Sequence, residues 1–160
     1  MITQPKPLKP VRQMQDCDDL FERRLVEQIA DQGFQTVHQP DSCYTVGLWH
    51  SYQHPELIIF GLPTERAHHL LAQAAQQIRD GQRWTLGEEL CTLTQDHALR
   101  LQAVGEVHHR DYLSYNRWFY RGDGFRAWQL VWPDPDGNFP GHPEFLPHLQ
   151  RVQPDLRVEL

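Results

Sequence analysis

Leu57-Ile58-Ile59-Phe60-Gly61-Leu62 is an apolar run without a polar alternate, bracketed by Pro55 and Pro63. A strand apolar on both faces belongs in the middle of a sheet, since an edge or surface strand would alternate. The run is also far shorter than the roughly 20 residues a membrane-spanning helix needs, and no other apolar stretch of the chain approaches that length. Pro63 and Thr64 then start the clearest helix: Ala67, Leu70, Leu71, Ala74, Ala75 and Ile78 fall on one stripe, and Gly81 ends it.

The other elements arrange themselves around this strand and helix. Asp18 and Asp19 open a helix with Phe21, Leu25, Val26 and Ile29 on its buried stripe and Gly33 as its stop. Phe34 to Val37 reads as a short strand, and Gln39-Pro40-Asp41-Ser42 as a turn. Tyr44-Thr45-Val46-Gly47-Leu48 alternates as a strand, followed by a polar, aromatic loop from Trp49 to Glu56. Further strands are expected at Leu90 to Thr94, Leu99 to Val107 and Phe125 to Trp132, with an aromatic helix from Arg110 to Tyr120. Pro133-Asp134-Pro135-Asp136-Gly137-Asn138 has the composition of a turn. The fold expected is α+β: a mostly antiparallel sheet packed by two main helices in a single domain. Residues 1–16 are expected as a flexible Pro-rich arm, 17–150 as the single α+β domain and 151–160 as a tail.

A chain of 160 residues with 39% hydrophobic and 22% charged residues can bury an ordinary globular core. Its formal charge of −6 gives no general attraction to nucleic acid or anionic lipid. The arginines at 110, 117, 121 and 126 are interrupted by acids and aromatics. Cys17, Cys43 and Cys91 are dispersed and odd in number, which suits reduced thiols in a cytoplasm. Lys6 and Lys9 near the N-terminus have no apolar segment behind them, unlike a signal peptide.

Candidate chemistry gathers at two loops. His50 and His54 are spaced i, i+4 and Glu56 follows, a set that invites a metal, with His68 and His69 as further ligands. Without evidence of convergence, no metal and no cofactor are expected. Glu56 and Asp134 are candidates for a paired-carboxylate acid/base site, or Glu56 for an ion pair with Arg126 or Arg83. The Asp134-to-Asn138 stretch lacks the spacing of a calcium loop. No nucleophile elbow or Walker loop occurs. The strand face carrying Trp128, Leu130 and Trp132 is either an open recognition surface or half of a two-sided core.

Two blocks carry a likeness to a known family. The first is Tyr44-Thr-Val-Gly-Leu48 with His54-Pro-Glu-Leu-Ile-Ile-Phe-Gly-Leu-Pro63; the second is Gln129-Leu-Val-Trp-Pro-Asp134 with Asp136-Gly-Asn-Phe-Pro140. Together they resemble the bacterial family DUF4262, a domain of unknown function, from about Phe34 to Pro140. The family places a Trp after Phe-Pro, where this chain has Gly141 and His142. The resemblance implies a soluble bacterial domain and supplies no activity.

The expectation is a non-catalytic binding or protein-interaction module of a bacterial cytoplasm, its surface formed by the Trp49–Glu56 loop and the Trp132–Phe139 turn. The binding residues would be Tyr44, Trp49, His50, His54, Glu56, Trp132 and Asp134. Two alternatives stand beside it: a small-molecule enzyme or metal-binding domain using His54, Glu56 and Asp134, and a flavin-like cofactor domain built on the Thr45–Leu48 and Leu57–Leu62 strands. The partner would be an unidentified protein or small molecule, not nucleic acid or membrane, with a homodimer through an apolar strand face as a further arrangement.

Overall fold

The computed structural model describes residues 10–90 and 98–157. Six strands form one sheet: β1 (Gln35–His38), β2 (Ser42–Val46), β3 (Glu56–Phe60), β4 (Glu89–Leu90), β5 (Leu99–Ala103) and β6 (Ala127–Val131), in the order β1-β2-β3-β6-β5-β4. All pairings are antiparallel except β3 with β6, which run parallel with Glu56 opposite Ala127 and Ile59 opposite Leu130. The doubly apolar run is thus central, as its composition requires.

Helix α1 (Leu20–Gln32) begins where the Asp19 carboxylate accepts the Glu22 N–H at 2.8 Å and ends at Gly33. Helix α3 (Thr64–Arg79) buries its entire expected stripe. Alternation along the strands divides the core in two. Leu57, Ile59, Leu101 and Leu130 meet α3 on one face, while Ile58, Phe60, Tyr44 and Val46 meet α1 on the other. The second face is completed by α4 (His109–Tyr112) and α5 (Ser114–Phe119). Two main helices is therefore a loose count: six α-helical segments occur among the described residues, including α2 (Leu48–Tyr52) and α6 (Leu149–Val152). Trp128 and Trp132 pack against the α3-side core, so the β6 aromatics fill a two-sided core rather than an open sheet face.

Several elements differ from expectation for identifiable reasons. Leu48 lies in a helix, not at the end of a strand, because Gly47 turns the backbone into the left-handed region at φ 115° and the chain coils into α2. A Cβ at Gly47 would stand 2.6 Å from the Gly33 carbonyl oxygen, so the two turns fit only with glycine there. The aromatic helix after Arg110 is broken at Leu113, whose φ of −130° interrupts helical geometry. Strand β5 stops at Ala103, and most of the Leu90–Thr94 strand, like residues 1–9 of the N-terminal arm, lies outside the described residues. Past residue 150, Gln153 and Leu156 are buried. The Gln153 side chain bonds both the N–H and the carbonyl of Trp132, at 2.8 and 2.9 Å, and so stands in for a strand neighbour.

No helix among the described residues is long and apolar enough to cross a membrane.

Candidate functional site

The two loops singled out by sequence sit at opposite ends of the sheet. Glu56 is level with the start of β6, and Asp134 follows its end. The strand between them covers roughly 13 Å at 3.3 Å per residue. The acid/base pair is not assembled, and the expected single surface of both loops is two separate places.

At the amino end of β3, Glu56 is fully buried. Its Oε1 accepts from Thr45 Oγ1 and the Leu48 N–H, both at 3.0 Å, and its Oε2 from the Gly47 N–H at 2.9 Å and Tyr120 OH at 2.5 Å. The Trp49 N–H points to Oε2 from 3.5 Å. No arginine side chain pairs with it: Arg126 supplies only a backbone carbonyl to the Glu56 N–H, and Arg83 bonds backbone carbonyls of Tyr52, Ile78 and Gln82. Burial pushes the Glu56 carboxyl up to about 7, against the pull of its donors. A carboxylate offers about four lone-pair directions, and these donors occupy them. Glu56 is a clamp that closes the first turn of α2 onto the sheet.

The neighbouring candidates share this structural character. Tyr44 is buried, its hydroxyl accepts the Tyr115 N–H at 3.0 Å, and burial raises its pKa to about 12. Trp49 is half-buried against the α1-side core. His50 is exposed on α2 with its ring edge-on to Phe119. His54 is buried between Trp84 and Trp128, at 6.0 and 5.2 Å between centroids, and burial lowers its pKa. Its Nδ1 donates to the Pro55 carbonyl at 2.8 Å, which leaves Nε2 as an acceptor with no hydrogen-bond partner among the described residues. His50 and His54 do not converge with a third ligand: no group of three His, Cys, Asp or Glu suited to a metal occurs among the described residues.

At the carboxyl end, the chain leaves β3 and β6 around a cleft of about 520 Å³. Leu62 follows β3; Trp132, Pro133 and Pro135 follow β6; Arg66 and Leu70 come from α3; Leu99 starts β5; and Leu146, His148 and Leu149 complete the wall. Ligand sites in sheets with helical cover favour the carboxyl ends of parallel strands, and small-molecule clefts commonly occupy about 300–1,000 Å³. The Trp132 indole is fixed by its N–H donating to the Phe60 carbonyl at 2.8 Å. Gly61 allows that approach, since a Cβ there would lie 2.9 Å from the indole and 2.5 Å from Val152.

Asp134 builds this cleft without lining it. Its buried carboxylate accepts N–H groups of Asp136 at 3.0 Å, Asn138 at 2.9 Å and Leu146 at 3.2 Å. Burial alone would raise its pKa; the backbone donors outweigh it and hold the carboxyl below its ordinary range. One side chain thus sets the turn that carries Pro133 and Pro135 and ties Leu146 to it.

Among the expected residues, then, Trp132 lines the cleft and Asp134 supports it; Trp49, His50, His54 and Glu56 belong to the far end of the sheet, and Tyr44 lies midway along β2 opposite Ile58. The lining residues that sequence reasoning missed are Leu62, Arg66, Leu70, Leu99, Leu146, His148 and Leu149. Leu70 was visible as a core position of the α3 stripe, but nothing in the Pro-rich segment from Gly141 marks Leu146 to Leu149 as a wall.

In comparison with known proteins, a family model described as domain of unknown function (DUF4262) matches residues 26–146. No curated protein and no solved structure matches.

Proposed function

The chain belongs to this family of unknown function, and on that premise we propose that it is a non-catalytic binding module that takes a small apolar ligand into the cleft at the carboxyl ends of β3 and β6. The observation that carries the reading is the cleft itself: a concave, largely apolar space at a sheet end, lined among the described residues from five separate segments around the fixed face of Trp132. A non-catalytic role is supported by the use of the two candidate carboxylates, since both Glu56 and Asp134 spend their oxygens on internal donors. A bacterial cytoplasm is part of the same proposal, motivated by the family likeness and by the free thiols of Cys17 and Cys43.

Calorimetric titration with octanol tests the cleft. The wild-type protein binds, and Leu149→Trp, which fills the wall position on α6, weakens binding at least about tenfold while circular dichroism stays native. Equal binding by both proteins places the ligand elsewhere and contradicts the reading.

A further inference from the structure

The cleft has a polarity that its apolar lining does not explain. Among the described residues its ionisable lining is Arg66 and His148, with no Asp or Glu, although acidic residues outnumber basic ones 21 to 15 in the chain. Arg66 is exposed in the first turn of α3 and makes no ion pair among the described residues. Four of the other twelve arginines are held in ion pairs: Arg100 with Glu89, Arg117 with Asp123, Arg121 with Asp16 and Arg157 with Asp155. Polar groups of the cleft that could compete for a ligand are occupied. The Trp132 indole N–H goes to Phe60, the Trp132 backbone to Gln153, and the Leu146 N–H to Asp134.

Resting on the cleft reading above, we infer that the ligand is a small amphiphilic monocarboxylate, its apolar body against Trp132, Leu70 and Leu149 and its carboxylate at Arg66 with His148 as a second donor. A guanidinium presents a planar pair of N–H groups that matches a carboxylate in bidentate fashion, and an imidazole N–H adds one more bond. A single cation suits a single negative charge, whereas a phosphate dianion would leave charge uncompensated. A cationic amphiphile would meet Arg66 as a like charge. The molecule's overall negative charge does not oppose this locally, because exposed charges beyond the screening length of about 8 Å at physiological salt contribute little at the rim.

The test compares octanoate, octanol and octylamine by calorimetry at low salt, with wild-type protein, Arg66→Gln and Arg66→Lys. Octanoate is expected to bind about tenfold tighter than octanol, the factor a charge-assisted hydrogen bond supplies, with octylamine weakest. Arg66→Gln should erase the preference for octanoate over octanol within the variant, and Arg66→Lys should restore part of it. Added salt should weaken octanoate and not octanol. Equal affinity for octanoate and octanol in the wild-type protein, or a preference that survives Arg66→Gln, overturns the carboxylate assignment and leaves the apolar cleft standing. Failure of all three probes to bind overturns the cleft reading together with the assignment.

Discussion

Burial pushes Glu56 up to about 7 although hydroxyls and backbone N–H groups converge on it. This value lies above the 4.5 of an unperturbed glutamate, so the folded protein holds the proton more tightly than the unfolded chain. The stability this confers is complete below about pH 4.5 and is lost as pH rises through about 7. The loss is on the order of 3 kcal/mol at 1.36 kcal/mol per pH unit. Urea unfolding between pH 5 and pH 8 should therefore show a decline in the wild-type protein that Glu56→Gln, which cannot ionise, lacks. A wild-type profile that is flat or rises like the variant's would show that the donors, not burial, decide the ionisation of Glu56. Truncation is a different matter: Glu56→Ala strands Tyr120 OH, Thr45 Oγ1 and the Gly47 and Leu48 N–H groups inside the protein. It should cost at least about 3 kcal/mol by chemical denaturation, since each unsatisfied buried group costs about 1–3 kcal/mol.

Among elements, the turn after β6 shows how one side chain governs a wall. Asp134→Asn keeps an acceptor for Asp136 and Asn138 but presents an amide donor to the Leu146 N–H. The expected result is a loss of about 1–3 kcal/mol in stability, with reduced octanol binding because Leu146 is released; unchanged binding would detach the turn from the cleft. The same elements show what was legible in the sequence. Helices α1 and α3, the central placement of β3 and the mostly antiparallel sheet follow from periodicity and caps, which act within a few residues. Helix α2 was not legible, because its first turn is closed by a carboxylate eight residues beyond Leu48, on the next strand. Helix α6 and the Leu146–Leu149 wall escaped for a similar reason: Leu149–Val152 is a single short turn, held by tertiary contacts such as Gln153 on Trp132. Trp132 was legible as an aromatic at a strand end, and Arg66 was not, since an exposed helical arginine looks like solvated surface until its neighbours in space are known.

Across the described residues, the two ends of the central strands are built differently. The amino ends of β3 and β6 are closed by polar bonds around Glu56, and the carboxyl ends open into the apolar cleft. The parallel pairing of β3 with β6 makes this possible, because both strands point the same way and deliver Leu62 and Trp132 to one end. The measurement that tests this division most directly is an amide NMR titration with octanol. The account predicts shifts confined to the residues around the cleft, with Leu62, Arg66, Trp132, Leu146 and Leu149 moving together and the amides of Gly47, Leu48 and Trp49 unmoved. Shifts centred on the Trp49–Glu56 end, or none at saturating octanol, would contradict it.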